Sequence, residues 1–246
     1  MALSLGQLAH RYDGQRAVIL GNGPSLNRTP LHLLAGERVW ASNRAYLLFD
    51  RIDWRPSHYV AVDPTAIANS TDRLSDCVAT LPDTVFFFPE EARGLLRLGE
   101  RPNVCWFRFS DAKGEFADGR TRFEVLRSAT VAVVSMQLAA LLGFANLLLT
   151  GCDMNYQHTT LGAGARAEKP GTFKFSGGTD ADHFHPDYLQ GGVEWTLPEV
   201  PRMLLDFQAI GQQFEEAGID VANATIGGML ECFRRVDLPS ALAGRS

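Results

Sequence analysis

The chain has 246 residues, with 23 lysines and arginines against 28 aspartates and glutamates, which gives a formal net charge of −5. A hydrophobic fraction of 46% and a charged fraction of 21% are typical of globular proteins and exclude a disordered or collagen-like chain. The acidic balance also argues against sequence-independent binding of nucleic acid, which needs a basic surface to displace counterions from phosphates. We therefore expect a globular protein with no nucleic-acid partner.

Short apolar runs recur along the chain and alternate with helical patterns. The runs span residues 17–20, 39–42, 59–62, 84–88, 104–107, 147–150 and 220–222. The helical patterns span residues 3–11, 30–34, 128–142 and 198–217, of which the third is apolar on nearly every face. Strands buried on both faces have such continuous runs, and their alternation with helices is typical of parallel sheets. The pattern predicts a doubly wound α/β fold with a mainly parallel sheet.

The apolar pattern disappears between about residues 155 and 195, where glycine, alanine, lysine, histidine and aspartate dominate. A loop of this length inside a compact domain is usually functional and often forms a lid. No internal repeat or linker divides the rest of the sequence. We interpret residues 1–246 as a single domain with a lid-like insertion at about residues 155–195.

The start of the sequence and its most apolar stretch indicate where in the cell the protein is expected. The start lacks the basic segment, long apolar run and cleavage site of a secretory signal. Residues 130–150 are long enough to span a bilayer, but Gln137, Gly143 and Asn146 interrupt them, which favours a buried helix and strand over a transmembrane segment. We expect a cytoplasmic protein, and peripheral association with a membrane stays open.

Polar residues and glycines follow three successive predicted strands. They are Gly21, Asn22, Gly23 and Ser25 after the first strand, Asn43 after the second and Asp63 after the third. Glycines allow a sharp turn and the close approach of a ligand, and the carboxyl ends of parallel strands meet at one edge of the sheet. Each residue alone is also a common turn or cap residue, but together they favour a nucleotide site.

A second polar group surrounds the apolar helix and the strand that follows it. Its members are Arg127, Ser128 and Thr130 at the predicted helix start, and Asp153, Asn155 and Tyr156 after the strand. The start of a helix, with an arginine beside it, is suited to receive a phosphate or a carboxylate. For Asp153, an ordinary turn cap is an equally good interpretation.

The predicted insertion contains His183 and His185 among three aspartates within residues 180–188. Three interpretations stay open. The first is that the two histidines bind a divalent metal, and the second is that one of them acts as a general base. The third is that both are solvated loop residues.

Taken in order, these segments resemble the bacterial sialyltransferases of glycosyltransferase family 42. The similarity rests on Gly-Asn-Gly-Pro-Ser at residues 21–25, Ser-Asn-Arg-Ala-Tyr at 42–46, the Ser/Thr-headed helix, the run at 147–156 and the loop histidine. Residues 182–188 and 223–228 are also similar to a related group, the motility accessory factors and the 6-hydroxymethylpterin diphosphokinase-like (MptE-like) proteins. Both groups share a Rossmann-like nucleotide-binding core, which the resemblance therefore implies here.

The sialyltransferase resemblance implies an inverting transfer of a nonulosonic acid, a nine-carbon acidic sugar, from a CMP donor to a glycan acceptor in surface polysaccharide synthesis. It implies no metal and no other cofactor. It assigns donor contacts to Asn22, Asn43 and either Ser128 or Thr130, and a phosphate contact to Tyr156. The loop histidine that acts as the base matches His183 best, because it precedes an aromatic residue, and His185 stays open as the alternative. Members of that family often form tetramers, so a homo-oligomer stays open.

The MptE-like resemblance implies a different reaction, the magnesium-dependent transfer of pyrophosphate from ATP to a hydroxymethyl pterin. Under that hypothesis the two histidines, or the neighbouring Asp182 and Asp187, bind the phosphate or the metal, and Asp63 binds magnesium. A non-catalytic nucleotide-binding protein of surface glycan synthesis is the third hypothesis. An anionic donor would have to be held by amides, hydroxyls, helix starts and Arg127 or Arg44, because the surface as a whole is acidic.

Overall fold

The computed structural model describes residues 2–110, 124–156, 171–174, 180–189, 191–192 and 194–244. The strands in these ranges are β1 (Arg16–Leu20), β2 (Val39–Ser42), β3 (His58–Val60), β4 (Val85–Pro89), β5 (Val104–Phe107), β6 (Phe109–Ser110), β7 (Val125–Leu126), β8 (Asn146–Thr150), β9 (Thr172–Lys174), β10 (Glu194–Thr196), β11 (Asp220–Asn223) and β12 (Arg234–Arg235). The helices are α1 (Leu5–Leu8), α2 (Pro64–Ala68), α3 (Thr71–Thr80), α4 (Arg93–Leu96), α5 (Val131–Leu141), α6 (Val200–Glu216) and α7 (Leu238–Ala243).

Eight of the strands form one parallel sheet in the order β12-β11-β8-β1-β2-β3-β4-β5. The chain builds outward from β1 to β5 and then returns to the other side of β1, where it adds β8, β11 and β12. The direction of winding therefore reverses between β1 and β8, whose residues Ile19 and Leu149 lie opposite each other. This arrangement confirms the predicted α/β fold with a mainly parallel sheet.

Helix α5 is the most buried helix, as its apolar sequence predicts. Every residue from Ala132 to Leu141 is buried. The helix begins at Val131 rather than at residue 128, because the Thr130 hydroxyl caps it by accepting a hydrogen bond from the backbone of Ala132 at 3.3 Å. Its polar residue Gln137 is satisfied inside the protein by the backbone N–H and carbonyl of Leu126, at 2.8 and 3.1 Å.

Other elements differ from the sequence prediction in extent. The helix predicted at residues 3–11 is the single turn α1, and the segment predicted at 30–34 is a 3₁₀ turn at Leu31–Leu34. Part of the predicted aperiodic insertion is ordered, because β9 and β10 pair as an antiparallel ribbon. Within the described ranges, no helix is both long enough and apolar enough to cross a membrane.

His58 is a buried histidine on β3 that lies flat against Trp40 of β2. The two ring centroids are 4.2 Å apart and the planes differ by 8°. The Nδ1 atom of His58 is 2.9 Å from the Ser57 hydroxyl. Burial, together with the smaller effect of the positive charges of Arg38 and Arg11, lowers the pKa of His58 from 6.5 to about 3.

Because His58 is buried in its neutral form, we expect the folded protein to become less stable as the pH falls. The unfolded chain takes up a proton on His58 below pH 6.5, whereas the folded chain does not until about pH 3. The free energy of unfolding therefore decreases as the pH falls between these two values. At about pH 4.5 the loss is roughly 2.5 kcal/mol from this residue. Urea unfolding at two pH values, on wild type and on His58→Phe, measures it. The substitution keeps a flat ring against Trp40, and an equal pH dependence in the two proteins would contradict the assignment.

Candidate functional site

A polar cavity of about 100 Å³ lies at the carboxyl edge of the sheet, over the switch point between β1 and β8. Open α/β sheets bind ligands at this position, because the loops after the two strands diverge there and leave a crevice. Residues from five separate parts of the chain line the cavity: Gly21, Asn22, Gly23, Ser42, Asn43, Thr130, Val131, Ala132, Gly151, Cys152, Asp153, Met154, Asn155, Tyr156, Asp182, His183 and Tyr188.

The turn after β1 is packed directly against the turn after β8. A Cβ atom at Gly21 would lie 2.2 Å from the carbonyl oxygen of Gly151, and one at Gly23 would lie 1.9 Å from Oδ2 of Asp153. The Asp153 carboxylate accepts hydrogen bonds from the backbone N–H of Ser25 at 3.2 Å and from its hydroxyl at 2.7 Å. Burial raises the pKa of Asp153 above its usual value. Ser25 is therefore buried behind the turn, where it supports the shape of the turn through Asp153.

Asn22 is held so that one polar atom is left for a ligand. Its Nδ2 donates to the carbonyl oxygen and to the hydroxyl of Ser42, at 3.3 and 3.2 Å. A carbonyl oxygen only accepts hydrogen bonds, so this contact fixes the orientation of the amide. The buried Oδ1 atom of Asn22 has no hydrogen-bond partner among the described residues. A ligand group with an N–H or O–H would satisfy this oxygen.

Asn43 lies beside Asn22 at the end of β2. Its backbone has φ 51°, a left-handed conformation that asparagine adopts more readily than most residues. The carbonyl oxygen of Asn43 accepts a hydrogen bond of 2.7 Å from the buried Tyr59 hydroxyl. This bond fixes the turn that brings Asn43 to the cavity.

His183 lines the same cavity and belongs to the segment 180–189. Its ring is stacked on Tyr188, with centroids 3.9 Å apart and planes 7° apart, and the Tyr156 ring lies edge-on at 6.1 Å. Its Nδ1 atom is 3.0 Å from both carboxylate oxygens of Asp180. Burial raises the pKa of Tyr156 and of Tyr188, which keeps both hydroxyls protonated and able to donate.

Two contacts attach the segment 180–189 to the sheet edge. The backbone N–H of Phe184 donates to the carbonyl oxygen of Asn22 at 3.0 Å. The buried Arg44 guanidinium donates to the carbonyl oxygen of Tyr188, and its Nε donates to the Tyr46 hydroxyl at 2.9 Å. Arg44 also lies 5.5 Å from the ring centroid of Trp195. The histidine and the Asn22 turn are therefore joined through direct contacts.

The start of α5 closes the cavity at Thr130, Val131 and Ala132. Ser128 and Arg127 turn away from it. The Ser128 hydroxyl donates to Asp206 of α6 at 2.8 Å, and Arg127 forms an exposed ion pair with Glu91 at 2.7 Å. The structure therefore brings Thr130, rather than its two polar neighbours, to the cavity.

The structure gathers most of the predicted site residues at one place. Those that line the cavity are Gly21, Asn22, Gly23, Asn43, Thr130, Asp153, Asn155, Tyr156 and His183. Asp63 lies elsewhere and caps α2 by accepting from the backbone of Thr65 at 2.7 Å. His185 is absent from the lining, and its Nδ1 accepts from the backbone N–H of Asp187 at 3.1 Å. In the described part of the chain, no three histidine, cysteine or acidic side chains come together as metal ligands would.

Sequence reasoning missed three residues of this site. Ser42 fixes the Asn22 amide, Asp180 contacts His183, and Tyr188 forms the surface on which the histidine ring lies. Asp180 and Tyr188 belong to the aperiodic segment, so neither has a predictable partner there. The three-residue spacing between Asp180 and His183 is the one signal that could have suggested a local pair.

An eight-stranded parallel sheet with a polar cavity at its switch point defines a Rossmann-like α/β protein. The chain belongs to the 6-hydroxymethylpterin diphosphokinase MptE-like family, whose family model matches residues 2–159. This membership and the Rossmann-like fold confirm what the sequence motifs suggested. No protein of curated function has a sequence that matches this chain significantly.

Two proteins illustrate the solved structures that share the fold. One is the MAf glycosyltransferase from Magnetospirillum magneticum AMB-1, at 16% identity and a TM-score of 0.54. The match covers 96% of this chain but 38% of that protein, so this chain spans well under half the length of that relative. The other is the sialyltransferase CstII from Campylobacter jejuni, in complex with the substrate analogue cytidine-5′-monophosphate, at 14% identity and a TM-score of 0.50. That match covers 91% of this chain and 85% of CstII.

Proposed function

We propose that this protein is an inverting glycosyltransferase that moves a nonulosonic acid from a CMP donor to a glycan acceptor. The observation that carries the proposal is the position of His183, which lines the same cavity as Asn22, Asn43 and the start of α5. A base, polar groups for a nucleotide and a helix start for a phosphate are the parts that such a transfer needs. The sialyltransferase CstII, which shares the fold, was solved with cytidine-5′-monophosphate.

The donor is expected to lie with its nucleoside toward Asn22 and its phosphate toward α5 and Tyr156. The free Oδ1 of Asn22 accepts a hydrogen bond, so it suits an amino group of cytosine or a ribose hydroxyl rather than a phosphate. The start of α5 and the protonated Tyr156 hydroxyl favour an anion instead. Together these two sets of groups fix both ends of a cytidine monophosphate.

The proposed reaction is a single displacement. The Nε2 atom of His183 takes the proton of an acceptor hydroxyl as that oxygen attacks the anomeric carbon of the donor sugar. The new bond between the anomeric carbon and the acceptor oxygen forms as the bond to the phosphate oxygen breaks, and CMP leaves. Attack opposite to the leaving group inverts the anomeric configuration. Tyr156 and the start of α5 stabilise the charge that develops on the departing phosphate.

The transfer itself is tested by following CMP release from CMP-sialic acid in the presence of EDTA, with and without a mixture of glycan acceptors. The proposal predicts release that depends on the acceptor and is unaffected by EDTA, with a product of inverted configuration by NMR. A product of retained configuration would overturn the single displacement.

Asn22 supplies the prediction about donor binding. Asn22→Ala removes the free acceptor oxygen and also the two contacts with Ser42, so we expect the Kd for CMP to rise about tenfold or more. Asn27→Ala is a matched control, because Asn27 is an exposed asparagine five residues further along whose side chain contacts Arg51. Calorimetric titration of both variants measures the effect, and equal affinities would remove Asn22 from the proposed donor site.

The family membership supports a second candidate, a magnesium-dependent pyrophosphoryl transfer from ATP to a hydroxymethyl pterin. Asp153 and Asp182 are the two acidic residues among those that line the cavity. Magnesium is usually held by one or two carboxylates together with substrate phosphates, and it would neutralise charge on the transferred group. These two residues would hold it in this protein. Formation of AMP from ATP, only when magnesium and the pterin are both present, would favour this candidate over the glycosyltransferase.

A further inference from the structure

Asp180 is a completely buried carboxylate in the segment that carries His183. Its side chain has 0% exposure, and both of its oxygens lie 3.0 Å from the Nδ1 atom of His183. The backbone N–H groups of Asp182 and Leu189 also donate to it, each at 3.2 Å. The carboxylate therefore binds three residues of the segment 180–189, which are Asp182, His183 and Leu189.

The chemistry of this contact fixes the histidine tautomer. An ionised carboxylate only accepts hydrogen bonds, so the Nδ1 atom of His183 must be the donor and must hold a proton. In the neutral ring the other nitrogen, Nε2, then carries the lone pair that can take a proton from a substrate. His183 lines the cavity, and its side chain is 15% exposed.

The orientation of the ring is fixed as well as its tautomer. Stacking on Tyr188 holds the ring plane, and the next residue, Phe184, is bound through its backbone to Asn22. Rotation of the ring about its bond to the chain would break the contact with Asp180 and separate it from Tyr188. These constraints hold the histidine in one orientation before a substrate binds.

We propose that Asp180 is the positioning residue of His183, whose carboxylate holds the Nδ1 proton and so directs the Nε2 lone pair into the cavity. The role in catalysis rests on the proposed function, in which His183 is the base. The effect on the tautomer does not, since it is a property of the protein without any substrate. An acidic side chain that orients a catalytic histidine in this way is used by unrelated enzymes.

The test is the substitution Asp180→Asn, which keeps the size of the side chain but lets its amide donate to Nδ1. We expect the ¹⁵N NMR signals of His183 to change from the tautomer protonated on Nδ1 to the one protonated on Nε2, with kcat reduced about 100-fold or more and the Kd for CMP within about twofold of wild type. Asp83→Asn is the control, because Asp83 is an exposed aspartate that precedes β4, at the amino end of the strand and therefore at the end of the sheet away from the cavity. Its NMR signals and kcat should match wild type.

Two results would overturn the proposal. The first is a wild-type His183 tautomer in Asp180→Asn, whatever the activity. The second is an Asp180→Asn change that lowers kcat as much in a His183→Gln background as in wild type, because a residue that acts through His183 has no further effect once the imidazole is gone.

If Asp180→Asn does not fold, Asp180→Glu supplies the same NMR comparison, with a carboxylate retained and the Nδ1 tautomer expected. If wild type shows no transferase activity but the tautomer shifts as expected, the proposed function fails while the positioning by Asp180 stands.

Discussion

His183→Ala is expected to lower kcat for transfer about 1,000-fold while the Kd for CMP stays within about twofold of wild type. The reason is that His183 lines the cavity but is not among the groups assigned to the nucleotide, so its removal leaves donor binding intact and takes away the base. Steady-state kinetics with CMP-sialic acid and calorimetry with CMP separate the two quantities.

His185→Ala provides the comparison that the sequence alone cannot make. His185 is two residues away, but it is absent from the cavity lining and its Nδ1 atom is occupied by the backbone of Asp187. We expect kcat in this variant to fall less than threefold. Loss of activity in His185→Ala together with an active His183→Ala would exchange the roles of the two histidines.

Gly21→Ala is expected to destabilise the fold by about 3 kcal/mol and to abolish CMP binding. The added methyl group would lie 2.2 Å from the carbonyl oxygen and 2.6 Å from the carbonyl carbon of Gly151, so β1 and β8 would have to separate at the switch point. The backbone bonds that tie the two turns, from Gly21 to Thr150 at 2.8 Å and from Gly23 to Gly151 at 2.9 Å, would be strained first. Urea unfolding and calorimetry measure the two losses.

Gly94→Ala is the matched control for this prediction. Gly94 lies in α4, and a Cβ atom there would meet nothing within 4 Å. Alanine has a higher helix propensity than glycine, so we expect unchanged or slightly greater stability. A Gly21→Ala protein as stable as Gly94→Ala would show that the two turns are not in contact as described.

The fold was largely predictable because its strands are buried on both faces. The runs at β2 and β5 are found with the predicted bounds, since every residue of each strand is buried and apolar or small. Short elements were less predictable. The 3₁₀ turn at Leu31–Leu34 and helix α7 are too short to show a helical period, and the ends of α1 depend on local capping by Ser4.

The site was predictable where a residue directly follows a strand of the sheet. Asn22, Asn43 and Asp153 are brought together because parallel strands place their carboxyl ends side by side. Asp63 also follows a strand, but its carboxylate is used by the first turn of α2. Ser128 and Thr130 were both placed at the predicted helix start; Thr130 provides the cap, whereas Ser128 binds Asp206.

The partners of His183 could not be predicted because their segment has no repeating pattern. Tyr188 and Asp180 reach the histidine through the local fold of the segment 180–189 and its attachment to Arg44 and Asn22. Arg44 was considered as a group that holds an anionic donor. The structure shows it buried at 3% exposure and bound to Tyr188 and Tyr46, so its observed contacts attach the histidine segment to the sheet.

The most direct test of the central claim, that this cavity holds a cytidine nucleotide together with a catalytic histidine, is calorimetric titration of the wild-type protein with CMP in EDTA. ATP with magnesium is titrated in parallel. We predict saturable one-to-one binding of CMP that is weakened by Asn22→Ala and unchanged by His183→Ala. Binding of ATP only with magnesium, together with no detectable heat from CMP, would contradict the claim.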